Sequence, residues 1–287
     1  MLPPATPRAY PFAMRAPAAL GILGTCLLAG CTSTVLAEPQ LLVSPYLAVY
    51  QLRGAMSMQS QPTPVDPIQD NPKQSLRTFG QDHHREDIGV RADLGDGFAG
   101  IRFDYYRLHM GTSQKGVLDG DWGRLQNGDL VRMNANMDDF RLSYLEPIVS
   151  TSGRFRDKPF DLKFAAGAQV SHRLMTLQAR TDDGSRTQNA QIDGDAVYGA
   201  VRARLAWREV ALDLDYAVSP GLVLGGDFEG LQQDFEAMLK YSLPMRDVTF
   251  FGGFRYSEFP AKGDANGFAY DADLKLDGYQ FGFAVVF

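Results

Sequence analysis

Four histidines, His83, His84, His109 and His172, are the side chains of this 287-residue chain best suited to ligate a metal or move a proton near neutral pH. The densest set of ligating types is Asp82-His83-His84-Arg85-Glu86-Asp87. Adjacent residues of an extended segment face opposite ways, and neither a zinc-like spacing nor a third defined ligand follows. A solvated loop explains the run. Asp119-Gly120-Asp121 and Asp193-Gly194-Asp195 offer oxygens to calcium, but they lack the longer Asp-rich loop, and Asp-Gly is equally the chemistry of a turn. Ser171 and His172 are neighbours and so cannot share a strand face. Asp138-Asp139 and Asp213/Asp215 have no histidine beside them. No set meets the geometry of nucleophile, base and orienting group, so no catalytic residue, metal or cofactor is expected. A surface hydrolase stays open as an alternative function.

The first 37 residues read as an export leader. Arg8 and Arg15 precede a short apolar run, Ala18 to Ala29, which is too short to span a membrane as an anchor. Two cleavage sites compete. Leu28-Ala29-Gly30-Cys31 resembles the bacterial lipobox, which implies that Cys31 is the lipid attachment site; all four residues fit, which favours it. Val35-Leu36-Ala37 presents small residues to the ordinary signal peptidase instead. Under the lipobox reading, the absence of Asp after Cys31 implies outer-membrane sorting. Both cysteines, Cys26 and Cys31, lie in this leader, so residues 38–287 are expected to form one domain without disulfide or thiol chemistry. Without the leader, 26 basic residues stand against 34 acidic ones, a balance that argues against nucleic-acid binding.

Beyond the leader the apolar residues recur every second position. Tyr279, Phe281, Phe283, Val285 and Phe287 share one face of a strand. Nine segments upstream read alike: Tyr46–Leu52, Ile88–Leu94, Ala99–Tyr105, Phe140–Tyr144, Phe160–Val170, Val197–Trp207, Val210–Val218, Phe235–Leu243 and Val248–Tyr256. In the first of these, Tyr46, Ala48, Tyr50 and Leu52 are expected on the outer face. Tight connections, such as Gly95-Asp96-Gly97 and Arg208-Glu209, alternate with longer ones, including residues 59–85, 111–134 and 178–190.

The terminal stripe ending on Phe287 resembles the C-terminal assembly signal of bacterial outer-membrane β-barrels. With the alternating faces and loop lengths, the chain resembles that class over residues 46–287. The resemblance implies a closed antiparallel transmembrane β-barrel of about ten strands, eight or twelve being alternatives, in the bacterial outer membrane. It also implies two partners, outer-membrane lipid and the barrel assembly machinery. The face opposite the apolar one would then line the lumen. It carries Arg91, Asp93, Arg102, Asp104, Asp139, Arg141, Asp161, Lys163, Arg202, Arg204, Asp213, Asp215, Asp234, Glu236, Lys240 and Arg255, eight of each sign.

Cross-strand ion pairs are expected among them. Half-broken buried pairs cost about 3–5 kcal/mol, so a narrow lumen has to be fully paired. A ten-strand barrel is little wider than the ~8-strand barrels that side chains fill, so the lumen is expected to be plugged. The sequence therefore points to envelope structure or surface binding through outer loops, with a narrow channel for small solutes or ions as the alternative.

Overall fold

The computed structural model describes residues 39–60, 71–81, 83–111, 114–155, 158–221, 223–244 and 247–287. The export leader with Cys31, the first-loop prolines Pro62, Pro64 and Pro67, and Asp82 lie outside the described residues.

Ten long strands follow one another: β1 Gln40–Met58, β2 Arg85–Gly95, β3 Gly100–Met110, β4 Leu130–Phe155 and β5 Lys158–Thr181, then β6 Thr187–Trp207, β7 Val210–Ser219, β8 Gln232–Ser242, β9 Val248–Asp264 and β10 Ala269–Val286. Each pairs antiparallel with the next, and β1 pairs with β10 from Leu42↔Val286 to Met58↔Tyr270, so the sheet closes on itself. Short strands Gln74–Ser75, Gly116–Val117 and Val223–Gly226 lie in the connections. Among the described residues no helix is long and apolar enough to cross a membrane, which leaves crossing by strands untouched.

The stagger of the ring is fixed by its pairing. Stepping across paired residues from Leu41 through Leu94, Ile101 and onward returns to β1 at Arg53, twelve residues along. Such a shear obliges the strands to tilt by roughly 40° to the barrel axis. Gly54 sits at this seam with φ +123, and a Cβ there would lie 2.0 Å from the Asp273 carbonyl, so the position takes only glycine.

The short turns gather at one end, with the start of β1 and the end of β10. The longer connections gather at the other end, which is here named the outer end. Between them the wall changes character. Near the short turns the outward residues are apolar and exposed: Phe164 and Val201 on β5 and β6, Leu212 and Leu214 on β7, Phe250 on β9, Phe281 on β10. Eleven tilted residues, Phe160 to Val170, rise roughly 25 Å, the height of an outer-membrane apolar band.

Toward the outer end the pattern inverts. On β5 the exposed residues become Thr176, Gln178 and Arg180, and the buried ones Met175, Leu177 and Ala179. β4 does the same, with Asn136 outside and Val131, Met133 and Met137 inside. Across this inversion the alternation keeps its phase; the apolar set moves from the outward face to the inward one.

Two expectations are corrected by this wall. Residues 178–190 are mostly strand: β5 runs to Thr181 and β6 starts at Thr187. The polar outward face reads as a loop only if the apolar inward face is overlooked. Tyr46, Ala48, Tyr50 and Leu52 face the lumen, each 3% exposed or less, while Leu47 is outward at 41%. Tyrosine tolerates that position because its hydroxyl has a buried partner: Tyr46 donates to Asp104 at 2.8 Å.

Candidate functional site

The lumen holds three stacked layers. The middle one is a charge network built on inward positions of six strands. Arg91 on β2 reaches Asp104 on β3 at 3.2 Å and makes a two-point contact with Glu236 on β8, at 3.0 and 2.8 Å. Arg255 on β9 reaches Asp104 at 3.1 Å. Asp139 on β4, fully buried, accepts from Arg141 at 2.7 Å, Arg173 at 3.0 Å and the Tyr106 hydroxyl at 2.6 Å. Arg141 also lies 3.2 Å from Asp234, which accepts from Ser257. Two-point guanidinium contacts suit a desolvated site, because the planar fork satisfies both carboxylate oxygens. The network encloses a cavity of about 50 Å³, lined by Arg91 and Arg255, whose Nε atoms have no hydrogen-bond partner. A polar space of that size holds water.

Arg173 escaped the sequence reading. It shares the inward parity of Asp161 and Lys163, but lies just past Val170, where the outward apolar stripe stops. It is 1% exposed, and its guanidinium stands 4.1 Å from the Phe259 ring centre, so it joins the charged layer to the one above.

The inner layer, toward the short turns, pairs Arg102 with Asp93 at 2.5 Å and with Asp215 at 3.2 Å. Arg202 also bonds Asp215. Arg204 holds both oxygens of Asp213 at 2.6 Å, and Lys240 reaches the same carboxylate at 2.8 Å. The β2–β3 turn folds into this layer. Asp96 accepts from the backbone amides of Phe98 and Ala99 at 2.8 and 2.7 Å, which tightens the turn and tips Phe98 inward. Phe98 is 1% exposed, under the Arg204 guanidinium at 5.1 Å; Arg202 and Arg204 donate to the carbonyls of Phe98 and Gly97. Beside it, an open vestibule of about 230 Å³ faces the short-turn end.

Asp161 and Lys163 are not part of this set. Asp161 accepts from Ser152 on β4, and Lys163 lies 3.9 Å from Asp96, both at the rim. The cause is the stagger: β4 pairs with β3 only as far as Leu145↔Gly100, so the β4–β5 hairpin projects beyond its neighbour.

The outer layer is apolar. Met56, Met58, Leu108, Met110, Met133 and Met137 line it from the wall. Loops fill it: Leu76 and Phe79 from a short 3₁₀ turn, and Leu118, Trp122 and Leu125 from the β3–β4 connection, all 1% exposed or less. Phe79 and Trp122 meet edge to face at 5.0 Å. Gln81 donates to the carbonyls of Met110 and Met133, pinning the first loop to the wall. Residues 59–85 show no hydrophobic period that would foretell this inward docking.

The histidines lie elsewhere. His83 meets Gln114 at 2.9 Å in the outer loops; His109 meets Asp87 at 2.8 Å and His172 meets Asp195 at 2.9 Å on the outer wall. Ser171 faces the lumen, away from His172. Among the described residues, no three His, Cys, Asp or Glu side chains group closely enough to hold a metal. Asp121 accepts from the Asn127 amide at 2.8 Å, a turn contact.

No family model matches the chain, and no curated protein does. Among solved structures it is similar to a Pseudomonas aeruginosa FadL homologue, at 8% identity over 88% of this chain and 90% of that one, with a TM-score of 0.32. It is also similar to the P. putida toluene transporter TodX, at 9% identity over 88% and 91%, with a TM-score of 0.28. Likeness of this degree does not single out one barrel among many.

Proposed function

We propose that the chain is an integral outer-membrane β-barrel with a shut lumen, acting in envelope structure or in surface binding through its outer loops. The carrying observation is the stack of two unlike closures: a paired charge network in the membrane-height half and a packed apolar fill above it. Either would block a solute. Hydrated ions cannot enter the apolar layer without losing their shells, and an apolar solute meets desolvated charge. The outer loops are held firmly enough to present a fixed surface: Lys73 bridges Asp271 and Asp273, and Lys115 and Arg132 clasp Asp182.

Outer-membrane lipid meets the apolar band, and the barrel assembly machinery reads the stripe Tyr279, Phe281, Phe283, Val285, Phe287. Planar-bilayer recording of the purified protein should show no unitary conductance. Discrete, reproducible openings would overturn the shut lumen in favour of the narrow channel. Cys31 is proposed as a second anchor, tethered to β1. Labelled palmitate should enter the wild type and not Cys31→Ala; an unlabelled wild type assigns cleavage after Ala37 instead.

A further inference from the structure

We propose that the vestibule at the short-turn mouth binds a small organic anion with an apolar body, of the class of a short-chain carboxylate. Charge bookkeeping locates the anion. In the middle layer four arginines, Arg91, Arg141, Arg173 and Arg255, face four carboxylates, Asp104, Asp139, Asp234 and Glu236. The inner layer is uneven. Arg102, Arg202, Arg204 and Lys240 share only Asp93, Asp213 and Asp215.

The excess is localised. Arg102 has Asp93 and Arg202 has Asp215, while Arg204 and Lys240 both converge on Asp213. Arg91, Arg204 and Lys240 are the cations that line the vestibule and Asp93 is its carboxylate; Arg91 is paired with Asp104 and Glu236 and Asp93 with Arg102, while Arg204 and Lys240 share Asp213, which is 2% exposed. One positive charge is thus left facing an open space, in a wall of low dielectric where an anion is favoured more than in water.

The remaining wall gives the ligand its body. Leu42, Met238, Phe251 and Val286 line the same space. Its volume is about 230 Å³. A cavity near 150 Å³ takes a benzene ring, so a six-carbon carboxylate fits. Both closures lie beyond this pocket, so the ligand enters and leaves on the short-turn side, the periplasmic side of an outer-membrane barrel. The site is one of binding, not passage.

The test is titration calorimetry on the folded full-length protein in detergent, with hexanoate, hexanol and inorganic phosphate as separate probes. Hexanoate should bind saturably at one site and the other two far more weakly. Lys240→Met should weaken hexanoate by at least about tenfold, and Lys240→Arg should restore it. Lys240→Met leaves Asp213 its two-point contact with Arg204, so the barrel keeps its pairing. Ala211→Phe, which fills the vestibule from the wall position paired with Lys240 and removes no charge, should also abolish binding. Absent hexanoate binding, binding indifferent to Lys240→Met and Ala211→Phe, or phosphate binding equal to hexanoate would each overturn the proposal. Unitary conductance with intact hexanoate binding would overturn the shut lumen and leave this site standing.

Discussion

The membrane-height half of the barrel and its outer half are opposite solutions to one packing problem. In the first, Val201 and Phe281 point outward and Asp139 and Arg255 are buried. In the second, Gln178 and Arg180 point outward and Met175, Leu177 and Trp122 are buried. The strands run unbroken through both. On the proposed placement in the membrane, what changes is the solvent against the wall, hydrocarbon below and water above, and each face follows the solvent it meets. The difference teaches that a strand's period reports the pleat, while the face carrying the apolar set reports the surroundings.

The sharpest break should come at the outer edge of the charged layer. Asp139→Ala leaves Arg173 buried without its carboxylate and Arg141 with Asp234 alone, and should destabilise the barrel by about 3–5 kcal/mol. Heat-modifiable gel mobility and urea unfolding would show it; an unchanged midpoint would mean that the layer is solvated and the halves differ less than their burial implies. Alanine at Arg202 or Arg204 should act in the same direction. Next comes the outward face itself. Val201→Lys puts a charge at mid-band and should cost about 2–4 kcal/mol in bilayers, whereas Gln178→Lys on the outer half should stay within about 0.5 kcal/mol. Equal effects would place the hydrocarbon boundary elsewhere.

The smallest effect is confined to the outer half. Asp183 titrates at about 2, held down by the Thr181 hydroxyl and then by the amide and hydroxyl of Ser185. Asp182 is also lowered, chiefly by the Lys115 ammonium. Because both folded values lie below the unfolded one, near 3.9, their contribution is complete above that pH and lost as pH falls through the folded values. Acid should therefore loosen the β5–β6 turn and the loop carrying Lys115 before the charged layer responds. NMR titration of the two carboxyls, with limited proteolysis of the β3–β4 loop, reads this order, and a loop equally resistant at pH 2 and pH 7 would refute it.

Much of the fold is legible one strand at a time. The stripe from Tyr279 to Phe287 and the run from Val197 to Trp207 announce outward faces, because lipid contact needs no partner from elsewhere in the chain. The 178–190 region reads as a connection because past Val170 the apolar residues sit on the other parity. Tyr46 and Tyr50 misled because tyrosine suits either face. Trp122 gave no signal, since its burial depends on a loop folding back through an opening set by other strands.

The sequence by itself determined the alternation, the tight turns and the stock of inward charges. Those are local properties, fixed by the two-residue pleat and by turn chemistry. Which cation meets which anion was decided only by closure. Glu236 and Arg255 are register partners, yet Glu236 bonds Arg91 and Arg255 bonds Asp104 across the lumen. A twelve-residue stagger and a ring of ten strands set those approaches between residues as far apart as 151 positions. No spacing along one strand encodes them, because the distance across a lumen exists only once the ring has shut.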